Sequence, residues 1–96
     1  MTRFRGVITA MATPFDRDGA VDFAAAGRLA THLLEHGSSG LVVAGTTGEA
    51  ATLSDEEQID LLRAVRGEVG PDALLICGSG TNDTRHSVEL TRKADA

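Results

Sequence analysis

Residues 40–44 read Gly-Leu-Val-Val-Ala and run directly into residues 45–49, which read Gly-Thr-Thr-Gly-Glu. A short and continuously apolar run is typical of a strand that is buried on both faces, as in a parallel sheet. The apolar runs at residues 6–12 and 73–78 have the same character. The sequence therefore predicts three strands of one parallel sheet.

Three helices are predicted between and after these strands, near residues 22–36, 55–67 and 84–95. Asp22 and Ser54 are of the type that caps a helix N-terminus, and Glu57 completes a capping box with Ser54. The order βα, βα, βα predicts an α/β fold with parallel strands in the order 1-2-3 and right-handed crossovers. A closed (β/α)₈ barrel needs eight such units of roughly 31 residues each. We therefore expect this chain of 96 residues to be the front of a larger domain.

The composition argues against several classes of function. Nine Lys and Arg residues against fourteen Asp and Glu residues give a net charge of −5, which disfavours nucleic acid and anionic membranes as partners. The three aromatic residues are all Phe, too few for base stacking, and the single Cys77 excludes an internal disulfide. No apolar run approaches the roughly 18 residues of a membrane span, and no secretory signal is recognisable, so we expect a cytoplasmic protein.

Ligands of parallel α/β folds bind at the carboxyl ends of the strands. Three loops are expected there, at residues 13–15, 45–49 and 78–82. In the second loop, Gly45 and Gly48 permit a tight turn, and Thr46 and Thr47 place two hydroxyls between them. Backbone N–H groups in such a turn can form a concave anion site that suits a small carboxylate, whereas no complete nucleotide-binding motif is present. Composition alone leaves open a structural turn in which the threonines only satisfy backbone groups.

The other reactive side chains are interpreted as structural. His32, His36 and His86 lie on predicted helices, where solvated histidines are the expectation. His32 and His36 are four residues apart on one helical face, but no carboxylate-rich partner segment accompanies them, which disfavours a metal site. Cys77 ends an apolar run and is interpreted as a small core residue. Glu49 is interpreted as structural because nothing in the sequence supplies a partner for a general acid.

Residues 45–53, Gly-Thr-Thr-Gly-Glu-Ala-Ala-Thr-Leu, resemble the dihydrodipicolinate synthase family, which belongs with the N-acetylneuraminate lyases to the pyruvate-dependent class I aldolases. Residues 9–15 are similar to the first strand of the family and its Thr-Pro-Phe ending, and residues 78–82 to the loop after its third strand. The double threonine favours the synthases, since the N-acetylneuraminate lyases typically have Ser-Thr there. The resemblance covers essentially the whole chain and about the first third of a family member.

The resemblance implies that residues 1–96 are the N-terminal part of a single TIM (β/α)₈ barrel domain, with the remainder outside this chain. It implies a homotetramer without metal or organic cofactor. It also implies condensation of pyruvate with L-aspartate 4-semialdehyde, through a Schiff base, to 4-hydroxy-tetrahydrodipicolinate in lysine biosynthesis. By position, Thr47 matches the residue that binds the pyruvate carboxylate, and Thr46 matches a hydroxyl that links two tyrosines in a proton relay. The lysine and tyrosine of the reaction belong to later strands, so the chain alone is expected to be catalytically incomplete.

Alternatives remain open for function. One is a sister pyruvate lyase or dehydratase that acts on N-acetylneuraminate or a keto-deoxy sugar acid. Another is a noncatalytic small α/β module that uses the turn for binding. The resemblance also bears on regulation, because family members inhibited by lysine use histidines and a glutamate where Asp55, Gln58 and His86 stand here, although Asn82 matches. We therefore expect an enzyme that lysine does not inhibit.

Overall fold

The computed structural model describes residues 6–45, 47–49, 52–79 and 83–95. Strands and helices alternate in the predicted order: β1 Val7–Ala10, α1 Phe23–Glu35, β2 Ser38–Val43, α2 Asp55–Val69, β3 Leu74–Cys77 and α3 Thr84–Asp95. None of these helices is long and apolar enough to cross a membrane. The three strands and three helices confirm the predicted α/β class.

The sheet has the order β1-β2-β3, and both strand pairs are parallel. Leu41 in β2 is aligned with Thr9 in β1 and with Leu75 in β3. Strand β2 lies in the centre and carries the fully buried Leu41 and Val43, which explains the apolar run at residues 40–44. The predicted strand order is confirmed.

The helix starts follow local capping. The Asp22 carboxylate accepts a hydrogen bond from the Ala25 N–H at 3.0 Å and caps α1. At the start of α2, the Ser54 hydroxyl accepts from the Glu57 N–H at 3.1 Å, and the Glu57 carboxylate accepts from the Ser54 N–H at 2.8 Å. The predicted capping box is therefore formed.

Several boundaries differ from prediction by one or two residues, and β1, predicted over residues 6–12, is confined to Val7–Ala10. Strand β2 begins at Ser38 rather than at residue 40, because Gly37 takes φ +109° directly after α1 and lets the chain enter the sheet at once. The hydroxyls of Ser38 and Thr9, 2.6 Å apart, connect this early start to β1. Helix α2 continues past Gly67 to Val69, since the turn to positive φ occurs only at Gly70.

The core lies between the central strand and the first two helices. Helix α1 contributes Ala26 and Ala30, and α2 contributes Leu61 and Val65, all of them fully buried. The small side chains let α1 approach α2 closely, and a Cβ at Gly27 would lie 3.2 Å from the Glu68 side chain. This packing holds the helices on the sheet and leaves the carboxyl ends of the strands to the connecting loops.

Candidate functional site

Residues just beyond the three strands meet at the carboxyl edge of the sheet. The Met11 N–H donates to the Val42 carbonyl at 3.0 Å, and the Gly78 N–H donates to the Val43 carbonyl at 2.8 Å. Parallel pairing thus continues one residue past the ends of β1 and β3. It brings the loops after these strands against the start of the turn at residues 45–49.

The turn at residues 45–49 follows one non-glycine residue with left-handed backbone and ends on another. Ala44, which is fully buried, has φ +58°, and Glu49 has φ +61°. Such conformations cost about 1–2 kcal/mol for an L-residue and persist only where the surroundings enforce them. Backbone strain is therefore stored at Ala44 and Glu49, one residue on each side of the Gly-Thr-Thr-Gly stretch.

Gly48 is packed against the loop that follows β1. A Cβ at this position would lie 3.0 Å from both the Met11 carbonyl oxygen and the Thr13 Oγ1. The buried Thr13 hydroxyl donates to the Gly48 carbonyl at 2.6 Å. The close neighbours of Gly48 in this structure are thus protein groups, which gives this glycine a packing role in addition to the binding role predicted for it.

A glycine is required at position 78 because the backbone of Ala44 and Gly45 approaches it closely. A Cβ on Gly78 would collide with the Ala44 carbonyl oxygen and lie 3.0 Å from the Gly45 Cα. The two backbones approach one another at the strand ends, as glycine permits. The glycine at position 78 is thereby explained by strand packing. At the start of α3, the Asp83 carboxylate accepts from the Arg85 N–H at 3.1 Å.

The two threonines of the turn differ in what the structure describes. Thr47 is exposed, and its role in binding a carboxylate stays a prediction. Thr46 lies outside the described residues, and its role in a proton relay stays a prediction. Gly45 is half-buried, and a Cβ added at this position would lie 3.1 Å from the Val42 side chain.

Glu49 has a structural setting, in line with its interpretation from the sequence. It is exposed, and its carbonyl accepts from both the N–H and the hydroxyl of Thr52, at 3.0 and 2.9 Å. These bonds stabilise the left-handed conformation that directs the chain toward α2.

The histidines behave differently from one another. The exposed rings of His32 and His36 stack with centroids 4.1 Å apart, and His36 Nδ1 lies 2.7 Å from the His32 carbonyl oxygen. His86 is not simply solvated as expected, because its Nε2 lies 2.6 Å from a carboxylate oxygen of Asp55 and links α3 to α2. Among the described residues, no group of three His, Cys, Asp or Glu side chains is placed to hold a metal ion.

Cys77 is half-buried at the end of β3, in line with its interpretation as a core residue. Burial raises the pKa of its thiol from the ordinary value of 9.0. The thiolate is the nucleophilic form, so this environment disfavours a role for Cys77 as a nucleophile.

The sequence placed residues 13–15 at the ligand-binding edge of the sheet but gave no role to Thr13. The only available signal was a hydroxyl residue directly before Pro14 at the end of an apolar strand, which indicates a strand end but not a partner 35 residues away. Long-range hydrogen bonds of this kind depend on strand register, and the sequence pattern does not specify register to one residue.

Comparison with known proteins identifies relatives along the whole chain. The sequence profile of the dihydrodipicolinate synthetase family matches residues 3–96. The chain is 60% identical over 95 residues to 4-hydroxy-tetrahydrodipicolinate synthase of Parasynechococcus marenigrum (strain WH8102). That match covers 99% of this chain and 32% of the relative, so the chain spans about a third of the length of the curated relatives it matches.

Solved structures agree with this comparison. Dihydrodipicolinate synthase from Cyanidioschyzon merolae with lysine bound gives a TM-score of 0.92 at 43% identity, covering 99% of this chain and 33% of that one. Dihydrodipicolinate synthase from Acinetobacter baumannii complexed with pyruvate gives a TM-score of 0.89 at 38% sequence identity. The match covers 94% of this chain and 31% of that one. Proteus mirabilis N-acetylneuraminate lyase gives a TM-score of 0.91 at 32% sequence identity, and the match covers 99% of this chain and 32% of that one. The three βα units are those of a TIM-barrel fold, as predicted, and the chain belongs to the dihydrodipicolinate synthetase family.

Proposed function

We propose that this chain contributes the first three βα units to a TIM barrel that condenses pyruvate with L-aspartate 4-semialdehyde to 4-hydroxy-tetrahydrodipicolinate. The observation that carries the proposal is the strained turn at residues 45–49, which presents the exposed Thr47 at the carboxyl edge of a parallel sheet. Functional residues of this fold class concentrate at that edge. The names of the relatives and the pyruvate in the Acinetobacter baumannii structure support the substrate.

In this proposal, a lysine amine outside residues 1–96 attacks the ketone carbon of pyruvate and releases water, which leaves a protonated imine. Loss of a proton from the methyl group then gives an enamine, whose carbon attacks the aldehyde. The only lysine of this chain, Lys93, lines a groove between α2 and α3 together with Asp55, Glu56, Asp60 and Arg63, so we assign it no part in this chemistry.

The roles proposed for this chain belong to the turn. The Thr47 hydroxyl donates a hydrogen bond to the pyruvate carboxylate. Gly45 and Gly48 let the backbone approach the same anion. Thr46 both accepts and donates a hydrogen bond, as a proton relay requires. The working enzyme is proposed to be a cytoplasmic homotetramer that needs no metal or organic cofactor.

Substitution of the threonines separates these roles in the intact protein that carries this chain. We expect Thr47→Val to raise the KM for pyruvate and lower kcat, because a hydrogen bond to a charged group contributes about 1.5–3 kcal/mol. Thr46→Val is expected mainly to lower kcat, by about 10²–10⁴-fold, because it removes a proton-transfer step. Steady-state kinetics of both variants provide the measurement, and wild-type values in both would contradict the assignment.

A sister lyase is the second candidate, favoured by the match to N-acetylneuraminate lyase at a TM-score of 0.91. The intact protein is incubated with pyruvate and borohydride, which traps a Schiff base as a stable adduct on lysine. It is then assayed with pyruvate plus aspartate semialdehyde, with N-acetylneuraminate, and with keto-deoxy sugar acids. An adduct with turnover of the first pair supports the synthase, an adduct with turnover of another substrate supports a sister lyase, and no adduct contradicts both.

A further inference from the structure

We propose that Thr13 is a positioning residue for the turn at residues 45–49, and that its hydroxyl sets where Thr47 meets the substrate carboxylate. This inference rests on the proposed function for its catalytic consequence. The geometry that supports it is independent of the reaction, because it consists of contacts within the protein.

Thr13 is held firmly in place. It is 5% exposed and directly precedes Pro14, whose ring restricts the residue before it to extended backbone. The Pro14 carbonyl accepts from the Asp22 N–H at 2.9 Å, and two residues before Thr13 the Met11 N–H donates to Val42. Thr13 is therefore fixed by the sheet on one side and by the start of α1 on the other.

The Thr13 hydroxyl acts on one specific peptide group. It donates to the Gly48 carbonyl at 2.6 Å, across 35 residues of sequence and in a buried position. Since C=O and N–H point in opposite directions in a trans peptide, this bond also sets the direction of the Glu49 N–H. The next carbonyl along the chain, that of Glu49, accepts from Thr52. Two successive carbonyls of the turn thus accept hydrogen bonds from threonines of the protein.

The consequence concerns an anionic substrate. A carbonyl oxygen carries partial negative charge, and one that could rotate toward a bound carboxylate would repel it. The Thr13 hydroxyl prevents this rotation of the peptide group between Gly48 and Glu49. It thereby fixes the backbone position of Thr47, the residue before Gly48. Thr13 itself is buried and acts only through the turn.

The test compares substitutions in the intact protein. Thr13→Val preserves shape and removes the donor, and we expect it to raise the pyruvate KM and lower kcat, with kcat/KM falling about 10- to 100-fold because catalysis is sensitive to small misplacements. Thr13→Ser keeps the hydroxyl and is expected to restore both constants toward wild type. Thr9→Val is the matched control, because it breaks the hydroxyl contact with Ser38, on the same segment but away from the turn.

A second readout separates positioning from mere destabilisation. Without substrate, amide hydrogen exchange at Thr47, Gly48 and Glu49 is expected to be faster in Thr13→Val than in Thr13→Ser or Thr9→Val. Loss of folded protein alone would lower the maximal rate and leave KM unchanged. Unchanged exchange in the turn together with an unchanged pyruvate KM in Thr13→Val would overturn the inference.

Borohydride trapping of the wild type with pyruvate tests the proposed function separately. If the wild type forms no adduct, the proposed function fails, and the exchange measurement alone then decides on Thr13. Faster exchange in Thr13→Val supports its positioning of the turn in that case, and unchanged exchange overturns it.

Discussion

At the scale of single residues, the carboxyl edge of the sheet depends on backbones that approach each other closely. Ala44 adopts left-handed backbone while fully buried, and its carbonyl oxygen occupies the space where a side chain on Gly78 would begin. A glycine after β3 is thus explained by a steric requirement within the protein. The glycine pattern indicated tight turns, but left-handed backbone at Ala44 and Glu49 could not be predicted, because neither residue type favours it.

A pair of glycine substitutions tests this steric requirement. We expect Gly78→Ala to lower the free energy of unfolding by about 1–3 kcal/mol, as overpacking does, because the added methyl would collide with the Ala44 carbonyl. Gly67→Ala is the control, since a Cβ added at this position in α2 has no neighbour within 4 Å. It is expected to raise the free energy of unfolding by about 1 kcal/mol, because alanine has the higher helix propensity. Urea unfolding, monitored by circular dichroism, measures the free energy of unfolding of both variants. Equal effects of the two substitutions would contradict the packing seen at Gly78.

Cys77 makes a prediction about pH. Because burial raises the pKa of the folded thiol, the unfolded chain ionises first as the pH increases. The unfolded state then binds fewer protons than the folded state, so the free energy of unfolding decreases as the pH rises above about 9 and has no such contribution at lower pH. Urea unfolding across this range, with Cys77→Ala as the reference, measures the effect. An equally steep decline in Cys77→Ala would show that another group is responsible.

At the scale of elements, local signals predicted the helix starts well. Asp22 and Ser54 cap α1 and α2 as expected, since capping involves residues only three positions apart. The end of α2 was predicted too early, at Gly67, because a glycine inside a helix and a glycine that ends one look alike in sequence. Arg66 distinguishes them in the structure, as its guanidinium donates to the Gly70 and Ala73 carbonyls at 2.8 Å and stabilises the turn beyond the helix.

The contact between α2 and α3 bears on regulation. Asp55 at the start of α2 is paired with His86 of α3, at positions where lysine-inhibited relatives are expected to carry a histidine and a glutamate. The ammonium group of an effector would lack a carboxylate at position 86, and charge-assisted bonds of that kind are strong. The Asp55 carboxylate is already engaged by His86.

We therefore expect the intact enzyme to keep its initial rate in submillimolar lysine. The rate of condensation of pyruvate with aspartate semialdehyde, measured with and without lysine, is the readout. His86→Glu offers a matched comparison, because it supplies the missing carboxylate and releases Asp55. Half-inhibition of the wild type by submillimolar lysine would contradict the prediction.

At the scale of the whole molecule, the sheet ends in two strands that are each paired on one side only within the described residues. In β1, Val7 is 63% exposed, and no residue of β3 is fully buried, in contrast to the central β2. Alternation of strands and helices predicted this order from sequence alone. Which side chains would be covered by further strands could not be predicted, because that depends on parts of a barrel beyond three units.

The 96 residues expressed alone are expected to self-associate and to lack activity. Unpaired strand edges recruit other chains, and a domain of this size is marginally stable even with complete burial. With pyruvate and borohydride we expect no adduct, because Lys93 lies on α3, where it lines a groove with the acidic residues Asp55, Glu56 and Asp60, and not on a strand. Light scattering measures association, and mass spectrometry detects the adduct. A monodisperse monomer would contradict the first expectation, and a pyruvyl group on Lys93 the second, because either result would mean that the three units already provide what we assign to the rest of a barrel.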